Sequence, residues 1–171
     1  LTPEHMKAIL EQLRTDFDYI IVDTWTALHD LVLQVLDISD RILLVTVPDV
    51  PSIKNTRLFF DVTEALDYPP DKLILIVNRV NRRGGGISVK LIEENLKHPV
   101  AAQIPLEERT AIVSINQGVP FVLGDKRNPL AQALFHLGEV LLKDFQKEAE
   151  AAAQAEPKEA QARARLGRLF R

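Results

Sequence analysis

Three short stretches, "FDYIIVD", "RILLVTV" and "KLILIVN", each carry a consecutive apolar run. None alternates polar with apolar, so each reads as a strand buried on both faces. Such a strand needs a layer of structure above and below it. The segments between the runs provide that layer, because they carry helical spacing. Strands alternating with helices specify an α/β fold with a mainly parallel sheet flanked by helices.

The helical segments have legible ends. Thr2 is an N-cap with Pro3 in the first turn and Glu4 at the positive end of the dipole, and Ile9, Leu10 and Leu13 share a face. "LHDLVLQVLD" is helical. Pro51-Ser52 opens a helix in which Ile53, Leu58, Val62 and Leu66 are spaced for burial. After the third run comes the loop "RVNRRGGG", then a helix that Ser88 caps, a short strand "PVAAQIP", and a helix that closes at Gly118. "VPFVLG" reads as extended. A long helix starts at Pro129, and Pro157 separates its Ala/Glu-rich extension from a short amphipathic tail. The expected organisation is a body over 1–142, a helical extension or linker over 143–157, and the tail over 158–171.

Composition narrows the function classes. Of 171 residues, 46% are apolar and 26% charged, the balance of a globular chain rather than a disordered one. No apolar run approaches the roughly 20 residues of a membrane-spanning helix, and no signal peptide is visible. There is no cysteine, which removes disulfides, thiolate catalysis and cysteine-bound zinc and fits a reducing cytoplasm. His5, His29, His98 and His136 lie far apart without metal-ligand spacing. Nothing supports hydrolase chemistry of the Ser/His/Asp kind. The chain starts at Leu1, which suggests the downstream part of a longer reading frame.

Ligands of parallel α/β sheets bind at the carboxyl ends of the strands, and three ends here are polar. Asp23 after "YIIV" has the placement of a carboxylate beside magnesium or its water ligands; the alternative is a cap of the loop or the next helix. Asn78 offers an amide donor and acceptor to a base, or is a turn residue after its strand. Pro105-Leu106-Glu107 follows the fourth run. Arg79, Arg82 and Arg83 beside three glycines suit phosphate, nucleic acid or an acidic partner. No aromatic is interleaved for base stacking. No Gly-x-x-x-x-Gly-Lys-Ser/Thr occurs anywhere in the 171 residues.

In this order and spacing, "FDYIIVDT", "LDISDRILLVTVPDVPSIKNTRLFFDV", "LILIVNRV" and "VAAQIPLEERTAIVSINQGVPFV" resemble the downstream part of a MinD/ParA-type ATPase, the deviant Walker A group of P-loop NTPases. The flavour is that of the CpaE/TadZ branch, linked to pilus assembly and polar localisation. The resemblance covers residues 1–142. It implies a P-loop NTPase-like but incomplete sheet, ATP and Mg2+ as cofactors, a homodimer in the full-length protein, and partners in a localisation or secretion machinery. It implies that Asp23 is the Walker B carboxylate acting on magnesium through water, that Asn78 contacts adenine with Arg79 nearby, and that Pro105, Leu106 and Glu107 line the base side. Two departures stand out: Thr24-Trp25-Thr26 replaces the Pro usual after the Walker B Asp, and Glu107 replaces an Asp. A larger one is the missing Walker A loop, whose strand in the family lies between the Walker B strand and the next. The chain alone is therefore expected neither to bind ATP tightly nor to hydrolyse it, and either its first two strands close that gap or a longer parent chain supplies the strand; an unfilled gap would leave backbone edges open.

The tail breaks with the body. Residues 158–171 carry five basic and one acidic side chain, or +4, whereas the remaining 16 basic and 23 acidic residues give the body −7. At helical spacing Ala162, Leu166, Leu169 and Phe170 form one face, with Arg165, Arg168 and Arg171 opposite and Arg163 at the border. That is the pattern of a helix lying in a membrane interface, and it resembles the C-terminal membrane-targeting segment of MinD. Each arginine contributes about 1 kcal/mol at an anionic surface, so one tail binds weakly and a pair better. The expected setting is the cytoplasm, peripheral on the inner face of the cell membrane. Two other readings follow from the same residues: a ParA-like DNA partition ATPase using Arg79, Arg82 and Arg83, and a non-enzymatic interaction module that keeps the fold.

Overall fold

The computed structural model describes residues 1–81, 84 and 86–147. The order is α1 (Pro3–Asp16), α2 (Asp30–Ile38), β1 (Ile42–Thr46), α3 (Val50–Ala65), β2 (Leu73–Val80), α4 (Val89–Leu96), β3 (Val100–Pro105), α5 (Glu108–Gln117) and a long helix α6 over 129–147. The strands form a three-stranded parallel sheet in the order β1-β2-β3, flanked by helices. This is the P-loop NTPase-like α/β architecture expected from the sequence, built on three strands. The chain divides into two compact units, Leu1–Leu44 with Phe59–Ile74, and Val45–Leu58 with Leu75 onward. The division passes through β1, α3 and β2, so each contributes to both units.

In the first unit α2 turns Val32, Val35 and Leu36 inward, at the i, i+3, i+4 spacing of one helix face. Val32 and Leu36 pack with Ile42 and Leu73, and Leu28, Phe59, Phe60 and Tyr68 close over them. Tyr68 donates its hydroxyl hydrogen bond to Asp37 Oδ1, and Lys72 donates to the Asp37 carbonyl at 3.0 Å while lying 4.7 Å from the Tyr68 ring centre. Burial, then the bond to Asp37, raises the Tyr68 pKa above its ordinary value; burial lowers that of Lys72. Arg14 ties α1 to the end of α2 through the Ile38 carbonyl at 2.8 Å and Asp40 at 2.9 Å.

In the second unit Leu75, Val77 and Ile92 are fully buried, and α4 adds Leu96 beside Ile92. Ser88 accepts from the Leu91 amide at 3.2 Å, as its place before α4 predicts. Gly118 ends α5 in the left-handed conformation at φ 64°. Arg57 donates to the Leu96 carbonyl at 3.2 Å, holding α3 against the end of α4.

Four sequence expectations are corrected. Residues 17–23 do not form a buried strand: they belong to no strand and are largely exposed, with Ile21 91% exposed. The gap is thus not closed, and β1 has β2 as its single neighbour among the described residues. A strand without a ladder partner gains nothing from its apolar string, because its amides are better satisfied by water. Edge strand β1 is correspondingly buried on one side only; Leu43 and Val45 are exposed. Leu58 on α3 and Leu66 just beyond its end are exposed, and the buried positions of the helix are Thr56 and Thr63, seven residues apart. Their hydroxyls donate to the Ser52 carbonyl at 2.8 Å and the Phe60 carbonyl at 2.9 Å, which leaves their methyl groups free to pack. Lastly, "VPFVLG" contains a single 3₁₀ turn, Phe121–Leu123, started by the fixed backbone of Pro120.

Candidate functional site

The second unit brings the carboxyl ends of β2 and β3 together. β2 and β3 are in step at Val77↔Gln103 and again at Val80↔Pro105. Asn78 and Arg79 therefore stand opposite Ile104 alone, a β-bulge that is uncommon in parallel pairs. The extra residue is accommodated by Arg79, whose φ of 58° is left-handed. For a residue with a side chain this conformation costs of order 1 kcal/mol. The Leu106 amide donates to the Val80 carbonyl at 3.0 Å and restores the ladder beyond the bulge.

The bulge fixes two side chains. The Arg79 amide donates to Asn78 Oδ1 at 2.8 Å, so the half-buried Asn78 amide is oriented by its own neighbour, with Nδ2 as the donor it can offer. The Arg79 guanidinium reaches across to Glu108 Oε1 at 3.6 Å, joining the end of β2 to the start of α5. Pro105 is buried, Leu106 is 38% exposed, and Glu107 stands at the N-cap of α5 without capping it through its side chain.

The loop after β1 borders the same end of the unit. Asp49 accepts from the Ser52 amide at 2.8 Å, which caps α3 and holds the Asp49 carboxyl below its ordinary pKa. Gly86, at φ 109°, sits where an added Cβ would come 3.7 Å from the Pro48 carbonyl oxygen. Its glycine is demanded by backbone conformation rather than by space.

Asn78, Arg79, Pro105, Leu106 and Glu107 are thus gathered at one sheet end. Asp23 belongs to the other unit, on the exposed segment after Val22. Arg82 and Arg83, and the tail residues Arg163, Arg165, Leu166, Arg168, Leu169, Phe170 and Arg171, lie outside the described residues. Among the described residues there is no cluster of His, Asp or Glu able to hold a metal, and no helix long and apolar enough to cross a membrane. Sequence reasoning missed Glu108. Its only signal was a second carboxylate after Glu107, and the Arg79 partner becomes visible only once the bulge is known.

This arrangement suits the edge of a flat, hydrogen-bonding ligand: one oriented amide, an apolar ledge of Pro105 and Leu106, and an arginine tied back by a carboxylate.

No protein-family model matches the chain. Its homologues are MinD/ParA-family ATPases with a matching fold. It is 28% identical over 127 residues to the septum site-determining protein MinD of Thermotoga maritima, covering 72% of this chain and 46% of that one. The MinD cell division protein of Aquifex aeolicus superposes with a TM-score of 0.74 at 27% identity, covering 84% of this chain and 61% of that one. The Pyrococcus horikoshii MinD, solved with Mg-ADP, gives a TM-score of 0.68 at 20% identity, a likeness of fold alone. The chain spans about half the length of the curated relatives it matches.

Proposed function

We propose that the chain is the base-side part of a nucleotide-switched positioning ATPase of MinD/ParA type, with the CpaE-like role in polar localisation or pilus assembly as its specific setting. The observation that carries this reading is the oriented Asn78 amide on the β2 bulge, flanked by Pro105 and Leu106. Asn78 meets the adenine edge, Arg79 lies beside it, and Pro105, Leu106 and Glu107 form the base-side wall. Asp23 is the Walker B carboxylate that acts on Mg2+ through water when ATP is bound. The cofactors are those of the relatives, and the Mg-ADP bound by the Pyrococcus horikoshii protein supports the assignment.

Phosphate affinity in P-loop sites comes from a ring of backbone amides and a lysine. This chain has no Gly-x-x-x-x-Gly-Lys-Ser/Thr sequence. By itself it should bind Mg-ATP no better than about millimolar, which for a single small ligand is about −4 kcal/mol. Calorimetry with the 171-residue chain tests this; micromolar affinity would contradict it.

The tail over 158–171 serves as a weak, reversible foot on anionic membrane, and pairing in a homodimer of the full-length protein strengthens it. The protein then works in the cytoplasm, peripheral on the inner face of the cell membrane. Sedimentation with anionic vesicles, with and without residues 158–171, checks the tail. Unchanged binding on deletion removes the membrane role, and tight DNA binding that falls steeply with salt would favour the partition reading instead.

A further inference from the structure

The Arg79–Glu108 pair has a part in the site that the motif residues do not cover. Three facts meet at Arg79. Its backbone is left-handed, a conformation a side-chain-bearing residue keeps only when its surroundings hold it. Its amide fixes the Asn78 carboxamide oxygen at 2.8 Å. Its guanidinium is paired with Glu108 Oε1 at 3.6 Å, linking the end of β2 to the start of α5. The chain of contacts therefore runs from the first residue of α5, through the Arg79 side chain and backbone, to the Asn78 amide.

We propose that Glu108 is a positioning residue: by holding the Arg79 guanidinium it keeps the bulge, and through the Arg79 amide the Asn78 carboxamide, in the orientation that meets a nucleobase. The inference rests on the base-side reading of this sheet end given above. Glu108 itself touches no base. Both side chains of the pair are about two-thirds exposed, so the effect is modest and screened by salt.

The test is an NMR titration of the ¹⁵N-labelled 171-residue chain with adenosine, together with hydrogen exchange of the Arg79 amide. Glu108→Gln should weaken adenosine binding about two- to fivefold and speed Arg79 exchange by a similar factor. The conservative variant Glu108→Asp, which keeps the carboxylate, should recover most of both, a rescue that a general loss of stability would not give. Wild-type affinity together with unchanged Arg79 exchange in Glu108→Gln would overturn the positioning role while leaving the base-side reading intact. Absence of any adenosine-induced shift at Asn78 in the wild-type chain would instead overturn the base-side reading, and the positioning role with it.

Discussion

Residues 19–22, Tyr-Ile-Ile-Val, and residues 73–77, Leu-Ile-Leu-Ile-Val, are nearly interchangeable as strings, yet they meet opposite environments. The second is the central strand of the sheet, with Leu75 and Val77 0% exposed. The first belongs to no strand, with Tyr19 61% and Ile21 91% exposed. The difference lies outside the strings. β2 has β1 on one side and β3 on the other, and both its backbone edges are satisfied. Residues 19–22 have no strand beside them among the described residues. An apolar run proposes a strand; a ladder partner and a covering layer make it one.

The largest expected effect breaks this symmetry directly. Leu75→Ala opens a cavity in a fully packed site and should cost about 2–5 kcal/mol in chemical denaturation. Ile21→Ala should stay within about 0.5 kcal/mol. An equal loss at both positions would mean that Ile21 is packed and the comparison false. Hydrogen exchange sharpens the same point: amides of 19–23 should exchange quickly, and those of 73–77 only with global opening.

A middle-sized effect probes how β1 is held at its end. The Thr56 hydroxyl, its proton given to the Ser52 carbonyl, accepts from the Thr46 hydroxyl at 2.9 Å, and both residues are buried. Thr56→Val leaves Thr46 without that partner and should cost about 1–3 kcal/mol. Thr56→Ser, which keeps the hydroxyl, should recover most of it.

A smaller, pH-dependent effect belongs to the first unit. The Tyr68 pKa is raised in the folded chain, so its contribution is fully present below its unfolded value of about 10 and is lost as pH climbs above it. Lys72, lowered by burial, works in the opposite sense over the same alkaline range. Denaturation between pH 9 and 11 should show wild-type stability falling faster than that of Tyr68→Phe, which has no phenol to ionise. Parallel pH curves for the two proteins would contradict the assignment.

Much of the fold was legible because it is written locally. Thr2, Ser88 and Gly118 mark helix ends through the hydrogen bonds and backbone angles their types favour, and α2 and β2 follow from apolar spacing. The misses are non-local. The burial of Thr56 and Thr63 in place of Leu58 and Leu66 depends on which face of α3 the sheet meets. The fate of residues 17–23 depends on a neighbour that local pattern cannot supply. In the candidate site, Asn78, Arg79 and Pro105 were readable as strand-end residues, but the bulge was not. The left-handed Arg79 and its reach to Glu108 arise from one extra residue in the β2–β3 register, and no single-sequence pattern encodes a register.

The central claim is that this chain carries the base side of a nucleotide site without its phosphate side. The direct measurement compares adenosine, AMP and ATP with Mg2+ as ligands of the same 171-residue chain, by shift changes at Asn78 and Leu106. Phosphates should add little, with affinities agreeing to within about threefold, or less than 1 kcal/mol. An affinity rising a hundredfold or more from adenosine to ATP would show a phosphate site in this chain and contradict the claim.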